Sequence, residues 1–296
     1  MHVRDILERD STLFSFEFFP PKTESGWDSL VKRLHSFEEL EPSFVSVTYG
    51  ASGSARDKTN ELVTHLAKET TLDPIPHLTC VGHCCKEIDQ ILQSYALSGV
   101  DNILTIRGDK PVHDAQEGDF IHAVDLVTHI RAFEGKKFGI CVAGFPEGHP
   151  ETPNRLVQMD HLKAKVDAGA DWICSQLFFD NRAFLDWRER CELNGIKIPQ
   201  VAGIMPITSI ASMKRMAELA GGANFPAKLL KRLYKFQDDR QSVKRIGIQW
   251  ASEQCSDLLD HKVRGIHFYT MNQSGATEEI FRSLGSLSSS RLRTSS

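Results

Sequence analysis

Short apolar runs rich in β-branched and aromatic residues recur eight times along the chain, at 13 to 19, 43 to 49, 75 to 80, 102 to 106, 138 to 143, 171 to 176, 199 to 204 and 264 to 269. Between them apolar residues return at every third or fourth position, as in Trp27, Leu30, Val31, Leu34 and Phe37, or in Ile88, Ile91, Leu92 and Tyr95. That is the spacing of one face of a helix. Near-continuous hydrophobic strands alternating with amphipathic helices predict an α/β protein with a parallel sheet, and eight such units favour closure into a (β/α)8 barrel. An open doubly wound sheet is the alternative. About 60 residues separate the seventh run from the eighth and carry helical patterns around 225 to 236 and 240 to 260, so extra helices are expected there. The expected organisation is one barrel domain over residues 1 to 285. From 286 to 296 the chain is serine-rich with two arginines and no apolar pattern, which predicts a disordered tail.

The first run holds the most informative octet, Phe-Ser-Phe-Glu-Phe-Phe-Pro-Pro at 14 to 21. In a strand, the period of two puts Ser15, Glu17 and Phe19 on one face and Phe14, Phe16 and Phe18 on the other. A carboxylate among phenylalanines is disfavoured in its charged form, and a raised pKa is what a proton donor near neutral pH requires. Glu17 is therefore the first candidate for general acid chemistry. An edge-strand glutamate reaching solvent fits the octet equally well.

Composition narrows the function classes. With 41% hydrophobic and 25% charged residues the chain is ordinary for a globular protein. A net charge of −4 and scattered basic residues leave no footprint for nucleic acid or an anionic membrane. No apolar run approaches the roughly 20 residues that span a bilayer, and the first ten residues lack a signal-peptide core, so a cytoplasmic protein is expected. Seven cysteines, an odd number lying mostly in strand-like or helical stretches, suit reduced thiols. His83, Cys84 and Cys85 follow Cys80, but no second Cys/His pair stands at zinc spacing and no metal site is expected.

In a barrel the chemistry sits at the carboxyl ends of the strands. In chain order those ends offer Glu17, then Thr48 and Tyr49, His77 and Thr79, Arg107 with Gly108 and Asp109, Phe145 with His149, Gln176, and last Tyr269 with Thr270. A mouth lined by acids, amides, hydroxyls, an arginine and several aromatics suits a flat heteroaromatic ligand such as a flavin or a pterin. No Gly-x-Gly-x-x-Gly follows a strand and no Gly-x-x-x-x-Gly-Lys-Ser/Thr occurs, so a nucleotide must bind the barrel itself.

The strings Phe-Glu-Phe-Phe-Pro-Pro at 16 to 21, Ser-Val-Thr-Tyr-Gly at 46 to 50, Pro-His-Leu-Thr-Cys at 76 to 80 and Arg-Gly-Asp at 107 to 109 resemble those of methylenetetrahydrofolate reductases. The series continues in register with Val-Ala-Gly-Phe-Pro-Glu-Gly-His-Pro-Glu at 142 to 151, Lys-Val-Asp-Ala-Gly-Ala at 165 to 170, Gln-Leu-Phe-Phe-Asp at 176 to 180 and His-Phe-Tyr-Thr-Met-Asn at 267 to 272. Eight strings in order at successive strand ends are specific. The resemblance covers about residues 10 to 284 and is to the short bacterial form, without the regulatory domain of eukaryotic members.

The resemblance implies reduction of 5,10-methylenetetrahydrofolate to 5-methyltetrahydrofolate, with a hydride passed from NADH or NADPH through bound FAD in a ping-pong sequence, in a homo-oligomeric enzyme. Glu17 matches the family's general acid, and Asp109 its aspartate beside flavin and pterin, although Asp109 alone would read as a turn cap. Thr48, Tyr49, Ala51 and His77 match positions contacting FAD, with Thr48 also near the folate. Ala123, His149 and Lys165 match further FAD positions toward its ribose and diphosphate, His161 shares the helical face of Lys165, Arg107 supplies a cation for the anionic portion, and Gly108 lets the backbone approach the ring. Gln176 resembles the amide that meets pterin and nicotinamide, and Tyr269 the aromatic near the stacked rings. There are departures. Gln158 stands where many relatives carry aspartate, which implies a weaker ribose contact. Ser212 and Gln273 replace a glutamine and an arginine at the folate's distal part, and Phe145 replaces a tyrosine while keeping a ring for stacking. A flavin-independent reductase and a folate-binding protein without catalysis are the competing readings.

Overall fold

The computed structural model describes residues 1–49, 53–108, 118–220 and 223–293; the candidates Ala51 and Asp109 lie outside the described residues. Eight strands fall within two residues of the expected runs: β1 (Leu13–Phe18), β2 (Phe44–Val47), β3 (Pro74–Thr79), β4 (Asn102–Ile106), β5 (Gly139–Gly144), β6 (Trp172–Ser175), β7 (Gln200–Ile204) and β8 (Gly265–Tyr269). They pair in sequence order, all parallel, and β8 closes on β1, giving a (β/α)8 barrel rather than an open sheet. Before β1 stands α1 (Val3–Arg9). The crossovers carry α2 (Glu24–Glu39), α3 (Gly53–Glu69), α4 (Cys85–Leu97), α5 (Ala123–Ala132), α6 (Arg155–Asp167) and α7 (Asn181–Leu193). Between β7 and β8 lie α8 (Ile210–Leu219) and the two expected extra helices, α9 (Ala227–Lys235) and α10 (Arg240–Asp260), and α11 (Gly275–Ser283) follows β8.

The alternation of β1 sets the pattern for the rest. Phe14, Phe16 and Phe18 are fully buried against the helical layer, where Phe16 lies 5.6 Å from Phe37 and 6.2 Å from Phe281 by ring centroids. α2 buries Leu30, Leu34 and Phe37, and α4 buries Ile88, Leu92 and Tyr95, as their spacing requires. The opposite parity fills the barrel. At its amino-terminal end Leu13, Phe44, Ile75, Leu104, Cys141, Trp172 and Val201 form an apolar layer that Val3 and Ile6 of α1 close from below. Asn102 fixes that plug: its Oδ1 accepts from the Val3 amide at 2.7 Å and its Nδ2 donates to the Met1 carbonyl at 2.8 Å. The bottom of the barrel is thereby sealed, and open space is left at the carboxyl ends of the strands.

Of the segment 286–296, expected as a disordered tail, the described residues run to 293. Ser290–Arg293 form α12. Ser289 donates its hydroxyl to the Glu41 carbonyl, Ser288 donates to the Glu41 carboxylate at 2.6 Å, and the Arg293 carbonyl accepts from the Ser11 amide at 3.1 Å. Hydroxyls and backbone groups tie this segment to the barrel, and a reading of apolar periodicity does not register them. Among the described residues no helix is long and apolar enough to cross a membrane.

Because Phe16 is buried among three other phenyl rings, Phe16→Ala is expected to lower the free energy of unfolding by about 3–5 kcal/mol, read from urea denaturation against wild type.

Candidate active site

A cavity of about 850 Å³ opens at the carboxyl ends of the strands. Of the described residues named from the sequence, Glu17, Thr48, Tyr49, His77, Arg107, Gly108, Ala123, Phe145, His149, His161, Lys165, Gln176 and Tyr269 line it, and Thr79, Thr270, Ser212 and Gln273 do not.

Glu17 points inward from β1, with Ser46 of β2 and Tyr269 of β8 as its register partners. A closed barrel has no edge strand, so the solvent-edge alternative falls away. The phenylalanines are not its surroundings, however. Three face the helices and Phe19 is exposed, so the period of two separates the acid from the very rings that flank it in sequence. Imidazoles take their place: Oε2 of Glu17 lies 3.5 Å from His77 Nε2 and 3.9 Å from His267 Nε2. Burial lowers the pKa of His77, with Glu17 pulling the other way. Its Nε2 makes no hydrogen bond among the described residues. His267 is buried below the carboxylate, with Nδ1 2.7 Å from Ser15 Oγ and Nε2 3.4 Å from Ser46 Oγ. The sequence reading missed His267, although it stands two residues before Tyr269 and therefore shares its inward face.

The far wall is built by β6 to β8. Tyr269 donates its hydroxyl to the Ser175 carbonyl at 2.8 Å, and its ring packs where residue 203 has no side chain. A Cβ on Gly203 would stand 2.4 Å from the Ser175 carbonyl oxygen and 2.8 Å from the Tyr269 ring. Burial holds the Tyr269 phenol well above its ordinary pKa, so it remains a neutral donor. Gln176 turns its Oε1 to the Leu177 amide at 2.9 Å, which leaves its NH2 group as the donor end. Cys174, also buried on this wall, was not singled out from the sequence.

Toward β2 to β5 the lining becomes cationic. Gly108 lines the cavity with φ of +88°, and a Cβ there would press to 3.0 Å on Thr79, so the turn requires glycine. Arg107 reaches Glu151 at 2.7 Å across the rim. Tyr49 meets His83 Nε2 at 3.0 Å. Asp125 accepts from the His122 amide at 2.8 Å, which fixes the start of α5 and sets Ala123 in the wall. Phe145 and His149 pack edge to face at 4.6 Å on the β5–α6 turn. From α6, Lys165 donates to the Ala143 carbonyl at 2.7 Å, and burial lowers its pKa to about 8, while His161 stands exposed at the rim. Gln158, on the same helix, donates its amide to the carbonyls of Thr152 and His149, so it pins the turn that carries Phe145 and His149. Ser212 is engaged in capping α8 through Ser209, and Gln273 is exposed beyond the mouth.

The family model described as methylenetetrahydrofolate reductase matches residues 2–285. The chain is 34% identical over 271 residues to the 5,10-methylenetetrahydrofolate reductase of Escherichia coli, covering 92% of this chain and 90% of that protein. It is 38% identical over 306 residues to methylenetetrahydrofolate reductase (NADH) 1 of Arabidopsis thaliana, covering 99% of this chain and 52% of that protein. The chain thus spans about half the length of the plant relatives it matches. Among solved structures, an uncharacterized Clostridium thermocellum protein described as binding two copies of 5-methyl-5,6,7,8-tetrahydrofolic acid superposes with a TM-score of 0.69 at 14% identity, over 95% of this chain and 96% of that one. At that identity the likeness is one of fold.

The contact of Tyr269 with residue 203 yields a direct test. Gly203→Ala is expected to destabilise the barrel by about 1–3 kcal/mol and to displace the Tyr269 ring, read as a lower urea midpoint and altered tyrosine fluorescence.

Proposed function

The chain belongs to the methylenetetrahydrofolate reductase family, and from that premise we propose that its barrel reduces 5,10-methylenetetrahydrofolate to 5-methyltetrahydrofolate with FAD and a reduced nicotinamide. The observation that carries this reading is the inward carboxylate of Glu17, lying beside two imidazoles in a cavity that Thr48, Tyr49, Gly108, Lys165, Gln176 and Tyr269 also line. NADH is the first donor to test, since the plant relatives are named for it. Seven free cysteines suit a reducing cytosol.

The residues present fit FAD. Gly108 brings bare backbone to the cavity lining, and His77 lies beside Glu17 with a ring nitrogen that makes no hydrogen bond among the described residues. Lys165 holds an ammonium backed by one carbonyl, and Arg107 supplies a second cation at the rim. Thr48, Tyr49, His77, Gly108 and Phe145 would hold the ring system, and Ala123, His149, His161 and Lys165 the ribose and diphosphate. Ala51 and Asp109 are carried as further ligands from the sequence alone. Bound FAD supplies the hydride carrier that joins the nicotinamide and folate half-reactions.

The chain's own residues supply the rest. Glu17 gives a proton to the folate as its five-membered ring opens, and the electrophile so formed at N5 accepts the hydride. His77 and His267 keep that carboxyl in a polar, partly closed setting where a proton can be replaced after each turnover. Gln176 offers its NH2 group to the pterin or the nicotinamide in turn. Tyr269, its hydroxyl given to the Ser175 carbonyl, presents its ring to the cavity beside them.

Two outcomes are expected. Glu17→Gln retains FAD and its reduction by NADH but nearly abolishes folate reduction, measured as separate half-reactions under anaerobic conditions; sustained folate turnover by this variant would refute the role given to Glu17. The second concerns Lys165. Its ammonium is present below about pH 8 and lost above it, so affinity for a diphosphate falls as pH rises past that point. FAD titrations from pH 7 to 9 read this, and Lys165→Met flattens the profile.

A further inference from the structure

The turn after β8 carries strained backbone at the mouth of the cavity. Met271 and Asn272, neither of them glycine, lie consecutively in the left-handed region with φ of 51° and 55°. L-residues seldom hold that conformation, asparagine more readily than methionine, and two in succession call for fixing contacts. Here the side-chain contacts of Thr270 and Asn272 run to the end of β1. Asn272 accepts from the Phe19 amide at 3.0 Å and donates to the Phe19 carbonyl at 2.9 Å. One side-chain amide thus continues the ladder past its last registered pair, Glu17 with Tyr269, at the point where Pro20 follows and cannot donate. Thr270 donates its hydroxyl to the carbonyl of Glu17 at 2.7 Å. Arg33 of α2 braces the turn from outside, donating to the Asn272 carbonyl at 2.9 Å and to Ser29 at 2.8 Å. Thr270 and Asn272 are both buried, so these bonds are made out of water, where losing one leaves a polar group unsatisfied.

The Glu17 carboxylate needs such support. Its nearest polar partners among those described above stand at 3.5 and 3.9 Å, beyond hydrogen-bond length, so backbone placement rather than side-chain contacts fixes where it points. The geometry points to Asn272 and Thr270 as positioning residues for Glu17, clamping the end of β1 so that the carboxyl meets the folate. This rests on the reading of Glu17 as the proton donor. The clamp is chemically specific. An amide both donates and accepts, whereas a carboxylate of the same shape in place of Asn272 would turn an acceptor on the Phe19 carbonyl.

The test uses the flavin-loaded enzyme under anaerobic conditions and follows flavin absorbance through reduction by NADH and reoxidation by methylenetetrahydrofolate. Asn272→Asp and, independently, Thr270→Val are expected to slow reoxidation by between about tenfold and 10²-fold, the effect of a misplaced reacting group, while reduction by NADH keeps its wild-type rate. Thr270→Val is the milder change and decides the matter if Asn272→Asp does not fold. Unchanged reoxidation in Thr270→Val, or equal slowing of both half-reactions with loss of flavin, would overturn the clamp. Glu17→Gln measured alongside separates the two claims. If it stops reoxidation while the clamp variants behave as wild type, only the positioning role fails; if it turns over folate freely, the reading of Glu17 fails first.

Discussion

The alternation of side chains along a parallel strand, imposed on a sheet that closes on itself, is the constraint on which the molecule depends. Each strand must be apolar outward to meet a helix, and its inward parity is then free to be apolar at the bottom and polar at the top. β1 shows both halves: Phe14, Phe16 and Phe18 bind the helical layer, while Leu13, Ser15 and Glu17 climb the barrel axis from sealed core to open mouth. A shift of register by one residue would exchange the two sets, placing phenyl rings in the cavity and a carboxylate under α2. The stability of the barrel and the direction of Glu17 are therefore consequences of the same packing.

Polarity rises along the axis in steps. Above the apolar layer closed by α1 come Ser15, Ser46 and His267 in one hydrogen-bonded group, then Glu17 and His77, then the mouth. Each buried polar group in this series has a neighbour of its own kind, which is what keeps a partly desolvated site tolerable. The loops then divide the mouth into two regions of different chemistry. β6 to β8 contribute neutral donors and apolar surface, while the turns after β4 and β5, with α6, contribute arginine, histidine and lysine. That division matches a ligand with a neutral ring system at one end and an anionic portion at the other.

Much of this was legible in the sequence because barrel strands, buried on both faces, read as continuous apolar runs, and eight of them fixed the fold and the identity of the strand ends. The inward direction of Glu17 followed from parity. Its environment did not, since neighbours in sequence are the residues a strand sends to the other face; the rings read as desolvating the acid pack against Phe37 and Phe281 instead. His267 was missed because it sits inside an apolar run, and Asn272 because its work is done on the Phe19 backbone, which no side-chain pattern reveals. Gln158, where the resemblance implies a weaker ribose contact, lines the cavity and donates to the carbonyls of the neighbouring turn. The helix Ser290–Arg293 escaped a reading tuned to apolar spacing because serine hydroxyls hold its segment in place.

Whether this cavity is a flavin site that passes a hydride to a folate is tested most directly by the visible spectrum of the purified protein under anaerobic conditions. The protein, supplied with FAD, is expected to show bound flavin absorbance that NADH bleaches and methylenetetrahydrofolate then restores. A protein that binds no flavin, or a bleached spectrum that the folate leaves unchanged, would contradict it.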